Sequence, residues 1–368
     1  MDISIRSGGA AGQGIQTISS IIARTMVHHD FYVFVNQDFE SRIRGGHNFD
    51  QVRISNTPVR AAAGQVHILI ALDEVTTGQD IDCLAENGVL LFDGETTGFK
   101  SDNPNHLSVP FTRIAAEAGK SKIMINAVAT GAATALLDFK LQPVLDCIQE
   151  QFEQKGAGMI EKNQKSAAAG YDFVRQNLKA GPPFRVPSAK AVRRKMLLTG
   201  SQAMALGAMA SGLKFYSGYP MSPATTIMEF VSTQADTYNI VLEQAEDEIA
   251  AINMVIGASF AGARAMTATS GGGFCLMVEA LSLAGMTETP VVIVVAQRPG
   301  PSTGLPTRTE QADLNLVMHA GHGDFPRAIL APGSPEQALS LMSKAFNLAD
   351  TYQTPVIVLG DQHFGDAY

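Results

Sequence analysis

The chain has 368 residues, of which 45% are hydrophobic and 17% are charged, and its formal net charge is −8. This composition excludes a disordered chain and exceeds what one ordinary core needs, so we expect two domains. The negative charge argues against nucleic-acid binding, and the apolar runs are too short for a membrane span. The N-terminus has no signal-sequence pattern, which predicts a cytoplasmic protein.

The opening strand is followed by a glycine turn. The stretch "SGGAAGQGIQT", residues 7–17, comes between a short apolar segment and a long helical pattern. Either this turn holds a phosphate group or it only joins a strand to a helix. The β-branched runs that follow predict strands, namely "FYVFVNQ", "FDQVRIS", "VHILIALD" and "GVLLFDG". Three helical patterns come next, namely "INAVATGAATALL", "LQPVLDCIQEQF" and "EKNQKSAAAGYDFVRQNL". Residues 1–180 are therefore predicted to form a mixed α/β domain.

Residues 181–195 are rich in proline and basic residues and have no apolar periodicity, which predicts a solvated linker. Strand and helix patterns then alternate from residue 196 to residue 368. Alternation of this kind is typical of a doubly wound parallel sheet with helices on both faces. Ser334, followed by Pro335 and Glu336, predicts a helix start. Ligands of such sheets bind at the carboxyl ends of the strands, so the loops that follow the strands are expected to form the site.

Two of these loops carry hydroxyl and carboxyl groups. Ser222, between Pro220 and Pro223 in "YPMSPATT", either orients a carbonyl or carboxylate ligand or caps a helix. Glu248 begins an apolar helical pattern after the strand "NIVLEQ". It is either ordinary first-turn charge or a carboxyl in a dry environment, where burial and like charges raise its pKa. A raised pKa suits proton exchange with a heterocyclic nitrogen.

Two further loops contain glycine or arginine. "TSGGGF", residues 269–274, lets a backbone approach a flat ring or a phosphate, or else makes a tight turn. The loop 297–314 contains Arg298 and Arg308 among several hydroxyl groups. Arginine with neighbouring hydroxyls can clamp a carboxylate.

Three stretches together resemble the α part of the 2-oxoacid:ferredoxin oxidoreductases: "GYPMSPATT", "EDEIAAINMVIGASFAGARAMTATSGGGFCLM" and "QRPGPSTGLPTRTEQADL". The segment "GGAAGQGIQT…ESRIRGGHN" resembles the γ part of the same family. A γ part followed by an α part on one chain is similar to the members that act on 2-oxoglutarate and related 2-oxoacids. The resemblance implies an N-terminal γ-type domain and a C-terminal thiamine-diphosphate domain of the pyrimidine-binding type.

The resemblance also implies roles for individual residues. Glu248 would contact the aminopyrimidine of thiamine diphosphate, with Gly257 in the helix that follows. Further residues implied at the cofactor are Thr269, Ser270 and Gly271. Residues implied at the substrate are Tyr219, Pro220, Ser222, Thr303 and Arg308, with Ser302 and Thr307 near them. The chain departs from the family pattern at Met221, Ser222 and Gly272, where isoleucine, threonine and proline are usual.

The implied reaction needs groups that this chain is not expected to hold. The superfamily binds Mg²⁺ and the diphosphate with a Gly-Asp-Gly motif, and "GDF" and "GDQ" lack its second glycine. Three separated cysteines, Cys83, Cys147 and Cys275, are too few for an iron–sulfur cluster, and no metal site is expected here. A β subunit is thus predicted to carry Mg²⁺ and a [4Fe-4S] cluster, in a hetero-oligomer such as (αβ)₂. Coenzyme A is the implied co-substrate and ferredoxin the implied electron acceptor.

Two alternatives stay open. A nicotinamide dehydrogenase would use the glycine turn, with Asp38, 24 residues after Gly14, as its ribose-binding acid. A non-catalytic assembly subunit would keep the fold, and the departures from the family pattern are consistent with it. Within the resemblance the γ domain helps to engage coenzyme A. Ala11, where glycine is usual, makes a structural corner the first interpretation of the turn, and ligand contact the second.

Overall fold

The structure, a computed structural model, describes residues 1–40, 45–178, 181–187 and 195–368. The chain divides into two compact units, Met1–Leu197 and Leu198–Tyr368. Residues 41–44 of the γ-like segment and residues 188–194 of the predicted linker lie outside the described residues. Within the described part of the chain, no helix is both long and apolar enough to cross a membrane.

The first unit is a mixed sheet with helices. Its strands are β1 (Asp2–Ala11), β2 (Tyr32–Phe39), β3 (Gly45–Ser55), β4 (Val66–Ala71), β5 (Leu84–Phe92) and β6 (His106–Ser108). Its helices are α1 (Ile15–His28), α2 (Glu74–Asp80), α3 (Gly94–Thr97), α4 (Phe111–Ala118), α5 (Ile125–Leu136), α6 (Gln142–Phe152) and α7 (Ala157–Asn177). The strand order is β2-β3-β1-β4-β5-β6. Strand β3 runs antiparallel to both neighbours, whereas β4, β5 and β6 continue parallel to β1.

Helix α5 forms the centre of the first unit's helical layer, and all its residues except Ile125 are buried. It packs on α7 with unusually close backbones. A Cβ at Gly131 would collide with the carbonyl of Ala167, and one at Gly170 would collide with the carbonyl of Val128. Only glycine fits at both crossing points, which is why an Ala- and Gly-rich helix is buried here.

The glycine turn is shorter than predicted, because residues 7–11 continue β1 and only residues 12–14 turn the chain. Gly14 adopts a left-handed conformation (φ 83°) at the start of α1, and a Cβ there would meet Asn126. The side chain of Gln13 closes the turn, since its Oε1 accepts from the backbone N–H of Ala10 at 2.7 Å. The turn's geometry is thus fixed by internal contacts.

The first part of the predicted linker alternates between residues exposed to solvent and residues covered by the first unit. Val186 is only 1% exposed, and its backbone N–H donates to the carbonyl of Leu137 at 2.9 Å. The N–H of Phe184 donates to the carbonyl of Leu136 at 3.3 Å. Residues 181–187 therefore lie against the first unit, because two apolar side chains in a proline-rich stretch gain by burial.

The second unit is a six-stranded sheet whose pairings are all parallel, as the alternation predicted. Its strands are β7 (Phe215–Gly218), β8 (Val241–Gln244), β9 (Ala265–Thr269), β10 (Val291–Gln297), β11 (Ala328–Leu330) and β12 (Pro355–Asp361). Its helices are α8 (Gly200–Ala210), α9 (Thr225–Tyr238), α10 (Glu248–Phe260), α11 (Gly271–Leu276), α12 (Val278–Met286), α13 (Leu314–His319), α14 (Pro335–Tyr352) and α15 (Gln362–Asp366). The strand order is β11-β12-β10-β9-β7-β8.

Strands β10 and β12 are fully buried and pair along their whole length, from Val291 with Pro355 to Gln297 with Asp361. Continuous runs of β-branched residues favour such central strands. The predicted helix start at Ser334 is confirmed, since its side chain accepts from the backbone N–H of Gln337. The carboxyl ends of β7, β8, β9, β10 and β12 meet at one edge of the sheet.

Candidate active site

Glu248 is the first residue of α10 and lies at this edge. Asp247 caps the helix, because its carboxylate accepts from the backbone N–H of Ala250 at 2.7 Å. The next side chain, that of Glu248, is buried and is only 2% exposed. Its Oε1 is buried and has no hydrogen-bond partner among the described residues. The helix start thus presents a buried carboxyl group whose Oε1 lacks a donor.

The pKa of Glu248 is raised, first by burial and then by the charge of Asp247. The backbone N–H of Glu248 and the charge of Arg298 oppose this shift. A carboxyl held in this way exchanges a proton more readily near neutral pH than an exposed one does.

Gly273, in the first turn of α11, makes room for this carboxyl. A Cβ at position 273 would collide with Oε1 of Glu248 and with Oγ1 of Thr269. The consecutive glycines after β9 therefore let the backbone of α11 lie directly against the acid. A flat ring that donates an N–H to Oε1 would satisfy the orphaned oxygen, so the aminopyrimidine of thiamine diphosphate fits these residues.

Arg298 follows directly on β10 and brings a cation to the same edge. It is 9% exposed, and its Nη1 donates to the backbone carbonyl of Ser222 at 2.5 Å. Burial lowers the pKa of Arg298, whereas the nearby charge of Glu248 raises it. A buried guanidinium with donors to spare is suited to bind a carboxylate.

The "YPMSP" loop meets the end of β9 through Met221. Ser270 Oγ donates to Sδ of Met221 at 2.8 Å, and Thr269 Oγ1 lies 3.9 Å from the same sulfur. The Ser222–Pro223 bond is cis, and α9 begins only at Thr225 with Ala224 as its cap residue. The interpretation of Ser222 as a helix cap is therefore wrong, because the chain turns through two more residues before the helix starts. The side chains of Tyr219, Pro220 and Ser222 are exposed at the mouth of β7.

The loop 297–314 is held in place at both ends. The Gln297 amide donates to the carbonyl of Gly360 at 3.0 Å and accepts from the N–H of Asp313 at 2.8 Å. Asp361, at the end of β12, accepts from Gln311 Nε2 at 2.5 Å and from Thr309 Oγ1 at 3.4 Å. These bonds fix a long loop that has little secondary structure of its own.

The middle of this loop approaches α11, because a Cβ at Gly272 would lie 3.1 Å from the carbonyl oxygen of Ser302. Thr303, the next residue, is exposed beside it. Arg308 is half-buried further along, and its Nη1 lies 3.5 Å from the carbonyl of Thr307. The cation whose charge lowers the pKa of Glu248 is Arg298. The role of Arg308 at the substrate stays a prediction.

Asp313 is a second acid that sequence reasoning missed. Its Oδ2 is buried with no hydrogen-bond partner in the described ranges, and a Cβ at Gly271 would meet its carboxylate. Burial, and then the charge of Glu310, raise the pKa of Asp313. The sequence signal that could have identified Asp313 is its position one residue before α13.

Among residues 1–40, 45–178, 181–187 and 195–368, no three His, Cys, Asp or Glu side chains are grouped so as to hold a metal ion. Asp38 lies on β2, which antiparallel β3 separates from β1. A dinucleotide site needs its acid on a parallel strand next to the first one, so the dehydrogenase alternative does not match this sheet.

The second unit thus has a buried glutamate at a helix start, facing a glycine turn at the carboxyl edge of a parallel sheet. The family model that it matches places it in the class of thiamine-diphosphate-binding domains. Residues 206–368 match the family model described as pyruvate flavodoxin/ferredoxin oxidoreductase, thiamine diP-binding. Residues 4–173 match the model described as pyruvate ferredoxin/flavodoxin oxidoreductase. The chain belongs to the 2-oxoacid:ferredoxin oxidoreductase family, with the γ-type part before the α-type part.

Two relatives agree with this assignment. The 2-oxoacid:ferredoxin oxidoreductase subunit alpha of Saccharolobus solfataricus is 32% identical, over 100% of this chain and 66% of its own length. The 2-oxoglutarate synthase subunit KorA of Archaeoglobus fulgidus is 46% identical, over 46% of this chain and 49% of its own.

A solved structure is also similar. The 2-oxoglutarate:ferredoxin oxidoreductase of Magnetococcus marinus, with 2-oxoglutarate, coenzyme A and succinyl-CoA bound, has a TM-score of 0.91 and 34% identity. The match covers 100% of this chain and 64% of that one. The chain thus spans slightly less than two thirds of the length of the S. solfataricus and M. marinus proteins.

Proposed function

We propose that the chain is the γ–α subunit of an enzyme that oxidatively decarboxylates a 2-oxoacid with coenzyme A and passes the electrons to ferredoxin. The observation that carries this proposal is the buried, unpartnered Oε1 of Glu248 against Gly273. When bound, thiamine diphosphate supplies the nucleophilic carbon and the electron sink that this decarboxylation needs.

Glu248 would exchange a proton with the cofactor's pyrimidine ring. Its raised pKa brings the acid closer to the pKa of a ring nitrogen, and its burial excludes water from the proton's path. Thr269, Ser270 and Gly271 would form the edge of the ring's site, because they lead from β9 into the helix that carries Gly273.

Arg298 would bind the carboxylate next to the 2-oxo group. Its Nη1 is fixed on Ser222, which leaves its other donors for a ligand at the mouth of β7, where Tyr219 and Pro220 also lie. Arg308 and Thr303, on the loop above, would contact the far end of the substrate. We favour 2-oxoglutarate as the substrate, with succinyl-CoA as product, because the chain is similar to the 2-oxoglutarate synthase subunit of A. fulgidus.

A β subunit would complete the enzyme by holding the diphosphate with Mg²⁺ and a [4Fe-4S] cluster. The whole sequence has three cysteines, whereas such a cluster takes about four thiolates. The thiamine diphosphate would then be shared between the two chains of a hetero-oligomer such as (αβ)₂, and ferredoxin would accept electrons from the cluster.

The test is to purify the chain together with a candidate β subunit and to follow 2-oxoacid- and CoA-dependent reduction of a viologen dye. Glu248→Gln keeps the size of the side chain but cannot exchange the proton, so we expect a loss of about 10²–10⁴-fold in kcat. Glu246→Gln is the matched control, because Glu246 is exposed two residues earlier. Wild-type turnover in Glu248→Gln would contradict the proposal.

A further inference from the structure

A pocket of about 550 Å³ lies in the second unit, in the connection between α13 and β11. It is lined by Met318, His319 and residues 323–327. Residues Pro326 and Arg327 come directly before β11, and Thr354, directly before β12, contacts the carbonyl of Pro326. The pocket is therefore at the amino ends of the strands, at the opposite edge of the sheet from Glu248.

Arg327 is the half-buried cation of this pocket. Its Nη1 donates to the carbonyl of Val317 at 3.2 Å and to the carbonyl of Ala320, at the end of α13. Its guanidinium carbon lies 4.4 Å from the centre of the Phe325 ring. No carboxylate forms an ion pair with Arg327 within the described part of the chain, and burial alone lowers its pKa. The Nε and Nη2 donors thus remain for another acceptor.

The support beneath Arg327 is rigid. The Phe325 ring fills the space over two glycines, since a Cβ at Gly285 would lie 2.5 Å from the ring and one at Gly321 would lie 2.8 Å from it. The N–H of His322 donates to Oγ of Ser282 at 2.7 Å, which ties the same loop to α12. The guanidinium is therefore held in one position before any ligand arrives.

We propose that this pocket binds an oxyanion, a phosphate group or a carboxylate, between the free donors of Arg327 and the ring of His319. An arginine that is half-buried without a counter-charge binds such groups through paired N–H donors. Asp324 also lines the pocket, but it is exposed at the mouth, where solvent screens its charge. The site does not depend on the proposed reaction, because it shares no residue with the carboxyl edge of the sheet.

The test measures the melting temperature of the full chain as inorganic phosphate is added, with chloride at equal ionic strength as the reference. Wild type is expected to show a saturable rise that chloride does not give, because a ligand that binds only the folded state stabilises it. Arg327→Met should abolish the phosphate-dependent rise. Lys344→Met is the matched control, since it removes one exposed cation elsewhere and should leave the rise unchanged.

Arg327→Lys and His319→Ala keep the test decisive if Arg327→Met folds poorly. Both should fold and bind phosphate at least about tenfold more weakly, because each loses part of the donor set. A parallel titration with coenzyme A identifies the source of the oxyanion. If CoA raises the melting temperature of wild type but not that of Arg327→Met, the pocket binds a phosphate group of CoA. If CoA raises the melting temperature of both, CoA binds elsewhere and the pocket binds a free oxyanion. An unchanged phosphate response in Arg327→Met, or no saturable response in wild type, would overturn the proposal.

Discussion

The carboxyl group of Glu248 is expected to destabilise the folded chain. Glu248→Gln, which replaces the carboxyl group with an amide, should therefore increase the free energy of unfolding. The group is buried, its Oε1 has no partner among the described residues, and its pKa is raised above the usual 4.5. For an acid whose pKa is raised by folding, the stabilising contribution is complete below its unfolded pKa and is lost as the pH rises through the folded pKa. The buried carboxylate therefore lowers the free energy of unfolding of the wild-type chain more at pH 8 than at pH 5.

The size of the effect follows from the burial. An unsatisfied buried polar group costs about 1–3 kcal/mol, and a charged one costs more. The charge of Arg298 offsets part of this cost, and an amide keeps one unsatisfied polar atom in the same place. We expect Glu248→Gln to gain about 1–2 kcal/mol at pH 8. In a domain of this size that corresponds to about 2–8 °C in melting temperature.

Scanning calorimetry of the full chain without its partner measures this difference. Wild type, Glu248→Gln and the control Glu246→Gln are compared at pH 5 and pH 8. The variant should melt above wild type at pH 8, and the gap should shrink at pH 5, whereas the control should follow wild type at both. A variant that melts below wild type at pH 8, or a gap that does not change with pH, would refute the reasoning.

Three further substitutions test the site in the complex. Arg298→Met removes the buried cation and should raise KM for the 2-oxoacid by about 10–100-fold, since a charged hydrogen bond contributes about 1.5–3 kcal/mol. An unchanged KM in steady-state kinetics would show that Arg298 does not bind the substrate carboxylate. Gly273→Ala places a methyl group against Glu248, so binding of thiamine diphosphate, followed by calorimetric titration, should be lost while the circular dichroism spectrum stays native. Asp361→Ala releases Gln311 and Thr309 and should raise KM more than it lowers kcat, and equal effects on both would show that the loop does not position the substrate.

Much of the second unit could be predicted from the sequence, because its signals are local. The buried strands β10 and β12 are runs of β-branched residues, and Ser334 with Pro335 marks a helix start by its own chemistry. Glu248 could be singled out because the helical pattern directly after it is apolar, which indicates a dry environment for its carboxyl group. Such features depend on neighbours in the chain, which the sequence displays directly.

Other features depend on contacts between distant residues. Whether Arg298 or Arg308 faces Glu248 is decided by where β10 ends and how residues 299–313 fold back, and both arginines have the same chemistry. The direction of β3 depends on its pairing with β1 and β2. An alternating pattern fits a parallel strand as well as an antiparallel one. The burial of Val186 likewise depends on a surface formed by residues about 50 positions earlier.

We propose that this chain and a β subunit together oxidise a 2-oxoacid. The most direct measurement is viologen reduction by the purified complex with 2-oxoglutarate and coenzyme A, with succinyl-CoA quantified in the same samples. We predict that the dye is reduced in proportion to the succinyl-CoA formed, and that omission of either chain, of thiamine diphosphate or of coenzyme A stops turnover. A complex that contains thiamine diphosphate and an intact cluster, yet reduces no dye with 2-oxoglutarate or any other 2-oxoacid, would contradict the claim.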